Sequence, residues 1–153
     1  MSELLIKQFE LTRNNFLKEV AGLNAELIDI QPEGFNNTIH WHIGHVLTTS
    51  EQFMFGYPKK SNQLPEHYLA LFGYGTKPAD WQGEVPGIGQ LTEQLTEQLA
   101  RLKQIPVDSF MEELKEPFLG SKTYGEIGTM AAYHEAYHLG QIHAMDRLIS
   151  KKK

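Results

Sequence analysis

The chain contains no cysteine, which excludes a disulfide, a thiolate metal ligand or a thiol nucleophile from its own residues. Any thiol chemistry has to use a thiol from outside. No apolar run approaches the length of a membrane span, and Met1-Ser2-Glu3-Leu4 is not a basic stretch leading into an apolar one. The expected location is the cytoplasm, with no membrane partner. Positive charge is scarce as well. Net charge is −5, and the one cationic run, Lys151-Lys152-Lys153, suits the negative end of a terminal helix. Nucleic-acid binding needs a cationic footprint that this sequence lacks. The last absence is alternation: no segment of useful length switches between apolar and polar residues with the period of a strand.

What remains is helical periodicity, in a composition ordinary for a globular protein at 41% hydrophobic and 22% charged residues. The 153 residues suit one domain, residues 1–153, with a substantial core. Leu5, Phe9, Thr12, Phe16 and Val20 draw the buried line of a first helix from about Ser2 to Ala21, stopped by Gly22. Asn36, Asn37 and Thr38 are each suitable caps for a second helix, whose apolar face carries Ile39, Ile43, Val46, Leu47, Ser50, Phe53 and Met54. Gly44 in its middle costs about 1 kcal/mol against alanine, which a close packing contact would explain. Leu91, Leu95, Leu99, Leu102 and Ile105 line a third long helix, ended by Pro106. Residues 107–120 then form a connector with one helical turn over 109–114. A fourth helix covers residues 123–149: Thr123 and Glu126 stand at the spacing of reciprocal capping, with Ile127, Met130, Ala131, Ile142, Met145 and Ile149 recurring behind them.

Residues 56–89 separate the second and third long helices. Their six glycines and four prolines forbid one continuous helix and predict a crossover, with a short helix over 64–72 opened by Pro65. A connection this long can return along a helix of about 24 Å, so its flanking helices can run parallel. Seven of the sixteen aromatics lie in or beside it: Phe53, Phe55, Tyr57, Tyr68, Phe72, Tyr74 and Trp81. They are enough to anchor the loop on the bundle; the sharper reading makes some of them a substrate wall or a dimer surface. The expected fold is all-α, a four-helix bundle with a long crossover between helices two and three.

His134 and His138 fall inside the apolar stripe of the fourth helix. Four residues advance a helix about 40° past a full turn, so both rings lean the same way. Each neutral imidazole has one donor and one acceptor to satisfy, and two together are hard to satisfy in a core. A divalent cation satisfies both acceptors at once, and i, i+4 histidines are a common chelating pair. A catalytic metal commonly takes three protein ligands and leaves a position open. His143, about 180° around the helix from His134, faces solvent, and His67 lies in the crossover. The third ligand is then sought on helix two, among His40, His42 and His45. On a helical projection His42 lies nearer the apolar stripe than His45.

The stretch Pro32-Glu33-Gly34-Phe35-Asn36-Asn37-Thr38-Ile39-His40-Trp41-His42-Ile43-Gly44-His45 resembles the entry to helix two in the DinB-like superfamily of metal-binding four-helix bundles. That superfamily places a tryptophan ahead of Gly-His there, and a late His-x-x-x-His followed by Leu/Gly-Gln. This chain has Trp41, Gly44-His45, then His134, His138, Leu139, Gly140 and Gln141, and Leu71-Phe72-Gly73-Tyr74-Gly75-Thr76 is similar too. The similarity runs essentially end to end. It implies that His45, His134 and His138 bind a divalent metal ion; imidazole donors suit such an ion, with zinc or nickel favoured, and the helical projection keeps His42 as a group that either replaces or supports His45. It also implies a homodimer and a transferase that attaches a low-molecular-weight thiol such as bacillithiol, mycothiol or glutathione to a small electrophile, as in detoxification.

His134-Glu135-x-x-His138 also matches the zincin signature, with Glu135 as general base. The extended signature is absent, since Gly140 and His143 are misplaced for it, and no strand is expected to hold a peptide. Glu135 is therefore read mainly as a surface residue, with catalysis as the exception. Gln141, on the face of His134 and His138, is the other candidate catalytic group, either orienting a ligand or lying at the cleft rim. A metal-dependent hydrolase and a non-catalytic metal- or ligand-binding module are the alternatives to thiol transfer.

Overall fold

The computed structural model describes residues 2–56 and 60–151; Tyr57, Lys152 and Lys153 lie outside the described residues. Four long helices form the bundle, α1 (Ser2–Ala21), α2 (Ile39–Phe55), α4 (Ile88–Lys103) and α5 (Tyr124–Ser150), with the short α3 (Tyr68–Phe72) in the crossover. None of them, among the described residues, is long and apolar enough to cross a membrane. The caps follow the sequence. Thr38 accepts from the Trp41 amide (3.2 Å) to open α2, and Thr123 and Glu126 cap α5 reciprocally. The short helix starts at Tyr68 and not at residue 64, because Pro65–His67 form a turn whose first carbonyl accepts from the Tyr68 amide (3.1 Å).

Side-chain pairs fix the helix directions. Leu5 packs at Gly128, Arg13 pairs with Glu135 and Glu19 with His143, so α1 and α5 run the same way. His42 meets His138, His45 meets His134 and Tyr124 reaches the Met54 carbonyl, so α2 opposes α5. Glu10 pairs with Lys103 while Arg13 reaches Gln98, so α4 opposes α1. Helices α2 and α4 are therefore parallel, as the long crossover allows.

Strands are the fold's departure from the sequence-based expectation. Residues 107–111 form a 3₁₀ turn, and an antiparallel hairpin follows, β1 (Glu113–Phe118) and β2 (Ser121–Thr123). Leu119 (φ 48°) and Gly120 (φ 83°) make its two-residue turn, the positive-φ pair that suits hairpin twist. The pattern was hidden because Glu113, Lys115, Glu116 and Pro117 of β1 are all exposed, which leaves no apolar alternation to read. A proline is tolerated in such an edge strand.

The crossover closes over α2. Gly44 is the point of approach: a Cβ there would lie 2.3 Å from the Phe72 ring. Phe72 and Tyr68 are buried, and Trp81 packs edge-on to Phe72 (5.5 Å between centroids). These three anchor the loop, whereas Tyr74 is 99% exposed and anchors nothing. With this cover α2 is buried on every side from Ile39 to Glu51, so no solvent flank remains for Trp41, His42 or His45.

A polar layer divides the core. Above it lie Phe16, Val20, Leu47, Leu95 and Ile142; below it lie Phe9, Met54, Leu102, Ala131 and Ala132. Each long helix contributes one residue to the layer: Arg13, Glu51, Gln98 and Glu135, all buried. Arg13 donates to both Glu135 oxygens (2.6 and 2.9 Å), to the Leu95 carbonyl (2.8 Å) and to Gln98 Oε1 (3.0 Å). Gln98 donates to Glu51 (2.6 Å), which Arg101 also grips with two bonds (2.9 and 2.8 Å). Burial alone would raise the Glu51 carboxyl, but the bonds from Arg101, Ser61 and Gln98 hold it below its ordinary value. Removing one partner of a buried pair strands the other charge, at about 3–5 kcal/mol. Arg13→Met should therefore lower the urea-unfolding free energy by about that amount, and Arg13→Met/Glu135→Leu should recover most of it.

Candidate metal centre

The site lies where α2 crosses α5, beside the polar layer. His45 Nε2 is 3.1 Å from His134 Nε2, and His138 Nε2 is 3.0 Å from the same atom. Among the described residues these three form the one group of donors compact enough to hold an ion, their ligand atoms all lying within 4.8 Å of one another. Nitrogens on a tetrahedral cation at about 2.0–2.1 Å are about 3.3 Å apart, so the donor set fits with small adjustment. His45 and His138 are buried and His134 is partly exposed, which leaves the approach to the centre on the His134 side.

Hydrogen bonds on the far side of two rings bear on which nitrogen keeps its lone pair, and for His45 they fix it. His45 Nδ1 donates to the Phe72 carbonyl (2.6 Å), an acceptor only, so its Nε2 is the unprotonated nitrogen of the neutral ring. His138 Nδ1 faces His42 Nδ1 at 2.7 Å. If His138 donates there, its Nε2 also points a lone pair at the centre, and the proton of His42 sits on its own Nε2. That arrangement is the outer partner a ligating histidine ordinarily has. Trp41 stacks flat on His45 (4.4 Å between centroids, 12° between planes) and donates to Thr76 Oγ1 (2.9 Å), which bonds the Gly73 carbonyl in turn (2.7 Å).

Electrostatics keep the cluster neutral. His138 is pushed down to about 2, by burial first and then by His134, His45 and His42. Burial first, with His45 beside it, lowers His134 to about 4; burial, His45 and His134 lower His42 to about 4. His45 is lowered by burial against the opposing pull of the Phe72 carbonyl. Neutral imidazoles are the ligating form.

The structure brings His45, His134 and His138 together and sets His42 behind His138, so the projection that favoured His42 had the wrong criterion. Both rings are buried because the crossover covers the flank on which His45 lies. His40 is tied elsewhere, between the Asp29 carboxylate (2.8 Å) and the Pro86 carbonyl (2.7 Å). His143 and His67 are exposed, and His143 pairs with Glu19. Glu135 is not on the surface: it is fully buried, and Arg13 occupies both its oxygens. Helix α5 packs on α1 as well as α2, so a residue 100° from His134 is still inside. Gln141 is half-buried one turn beyond His138, and Tyr137 packs edge-on to His138 while about half exposed. Sequence reasoning missed Arg13, Glu51 and Gln98, although each sits three or four residues from apolar neighbours on a buried stripe.

Comparison with known proteins agrees with the fold. A solved structure described as a conserved protein from Enterococcus faecalis superposes with a TM-score of 0.71 at 16% identity, covering 99% of this chain and 98% of that one. At that identity the likeness concerns the fold alone. No curated protein matches the chain. The family model for the DinB superfamily matches residues 8–142, nearly the whole bundle, and the chain belongs to the DinB superfamily.

Proposed function

We propose that His45, His134 and His138 hold a divalent cation and that the protein is a metal-dependent transferase, joining an exogenous low-molecular-weight thiol to a small electrophile. The observation that carries the reading is the convergence of three Nε2 atoms, two of them on rings whose Nδ1 atoms have partners on the far side. Zinc and nickel both suit such imidazole donors. A bound divalent ion supplies Lewis acidity that favours the thiolate of a thiol at neutral pH. The chain's own residues do the rest. Phe72 and Trp41 hold His45, His42 holds His138, and Arg13 through Glu135 holds the face of α5 that carries both α5 ligands. Glu135 is engaged by Arg13 and is no general base here, and Gln141, on the same face of α5, would orient the incoming thiol. In the reaction the thiolate sulfur forms a bond to carbon as the carbon–leaving-group bond breaks. The leaving group takes the electron pair, and the thiol proton passes to solvent. The cytoplasm suits such a reaction because its thiols are kept reduced.

Elemental analysis separates ligand from support. His45→Ala should abolish zinc or nickel retention, while His42→Ala should weaken it about 10–100-fold, as loss of an outer partner does. Loss with His42→Ala alone would overturn the assignment. Turnover of 1-chloro-2,4-dinitrobenzene across bacillithiol, mycothiol and glutathione should need both metal and one preferred thiol. Metal-dependent ester cleavage without thiol would instead identify a hydrolase.

The pH dependence has a definite sign. The imidazole pKa values are below the unfolded value of about 6.5, so the unfolded chain binds more protons in the interval between them. Their stabilising contribution is complete above pH ~6.5 and is lost as pH falls, that of His42 and His134 through about 4 and that of His138 through about 2. Both the melting temperature of the metal-free protein and the metal content of the loaded one should decline through that window, read by calorimetry and by dialysis.

A further inference from the structure

A cavity of about 350 Å³ opens between α2, the crossover and the hairpin, beyond the histidines. Thr48 and Gln52 on its α2 wall stand three and seven positions past His45, about 5 and 10 Å along the helix axis. Each opposing wall is one residue removed from the candidate metal centre. Phe118 packs on Phe53 (5.6 Å), and Phe53 on His134 (6.1 Å). Tyr68 packs on Phe72 (5.7 Å), whose carbonyl bonds His45. The cavity therefore lies beside the histidines without containing one.

Its chemistry selects the occupant. Leu64, Leu69, Tyr68 and Phe118 give apolar walls, and Gln52 offers an amide at the exposed rim. Among the described residues, the ionised groups lining it have partners: Glu51 is bound by Arg101, Gln98 and Ser61, and the exposed Lys60 and Glu66 pair with each other at 3.5 Å. A charged ligand would be buried without a counter-charge, which is costly. At about 30 Å³ per water, the volume corresponds to roughly a dozen non-hydrogen atoms. Apolar walls with a few polar groups are the usual make-up of a small-molecule site.

We infer that this cavity binds an uncharged, largely apolar small molecule of single-ring size; on the transferase reading above, that molecule is the electrophile. The probe is 2,4-dinitrotoluene, an unreactive relative of 1-chloro-2,4-dinitrobenzene, titrated into the full chain with and without zinc and followed by leucine-methyl NMR. It should shift the Leu64 and Leu69 methyls with the same affinity in both forms. Leu69→Trp fills the cavity and Gln52→Trp, at an exposed position, covers its rim; each should weaken binding at least tenfold with zinc content unchanged. Absence of those shifts at saturating probe, or wild-type affinity in both variants, would overturn the proposal. So would binding lost with His138→Ala but kept in both tryptophan variants, which places the probe on the metal and leaves the metal reading intact. Binding that persists in a protein without thiol turnover keeps the cavity and removes only the transferase reading.

Discussion

The bundle depends on a pair of opposite charges at its centre. Arg13 and Glu135 are each fully buried, and neither can be there alone. The guanidinium fork accepts only one arrangement of its neighbours, with two carboxylate oxygens on one side and a carbonyl and an amide from α4 on the other. An apolar interface between α1 and α5 could slide or rotate at small cost, because hydrophobic contact is non-directional. This one cannot. Since Glu135 adjoins His134 and lies three residues before His138, fixing its azimuth on α5 also fixes the two imidazoles toward α2.

From α2 the complementary constraint comes through the crossover. Gly44 has no side chain to hold α3 away, so the Phe72 ring lies on the helix and the Phe72 carbonyl reaches the next residue's imidazole. Trp41 closes the other face of that ring. A segment rich in glycine and proline thus completes the site as much as the long helices do. It removes the solvent flank of α2, lowers the dielectric around four imidazoles and supplies the acceptor that sets the tautomer of His45.

Much of this was legible in the chain. Thr123 with Glu126, the apolar line of α4 and the i, i+4 histidines are local signals, and local signals survive folding unchanged. Gly44 predicted its own close contact. What failed were inferences requiring knowledge of a second neighbour. On the projection alone, though not by the resemblance, His42 outranked His45, because a projection measures distance from an apolar stripe, while the crossover made the circumference of α2 interior from Ile39 to Glu51. Glu135 was put at the surface for the same reason, with α1 as the unseen neighbour. The hairpin escaped because β1 is exposed on nearly all its length and pairs through backbone groups that carry no side-chain pattern. Arg13, Glu51 and Gln98 were readable as polar residues on apolar stripes, but only taken together do four such residues, one per helix, become a layer.

The charge balance around the histidines bears on the proposed chemistry. Glu51 and Glu135 are each neutralised inside the polar layer by an arginine, and the compact donor group contains no carboxylate. Imidazoles bring no charge to a cation. An ion held there would keep both positive charges in a largely dry setting, where the attraction for an anion is far stronger than in water. Glu51 and Glu135 are thus committed elsewhere, and the chain has no cysteine to offer. A site built this way recruits its anion from solution, and a thiolate is an anion that is also a nucleophile. A neutral occupant suits the cavity alongside: a second anion would compete for the metal, while a neutral electrophile would not.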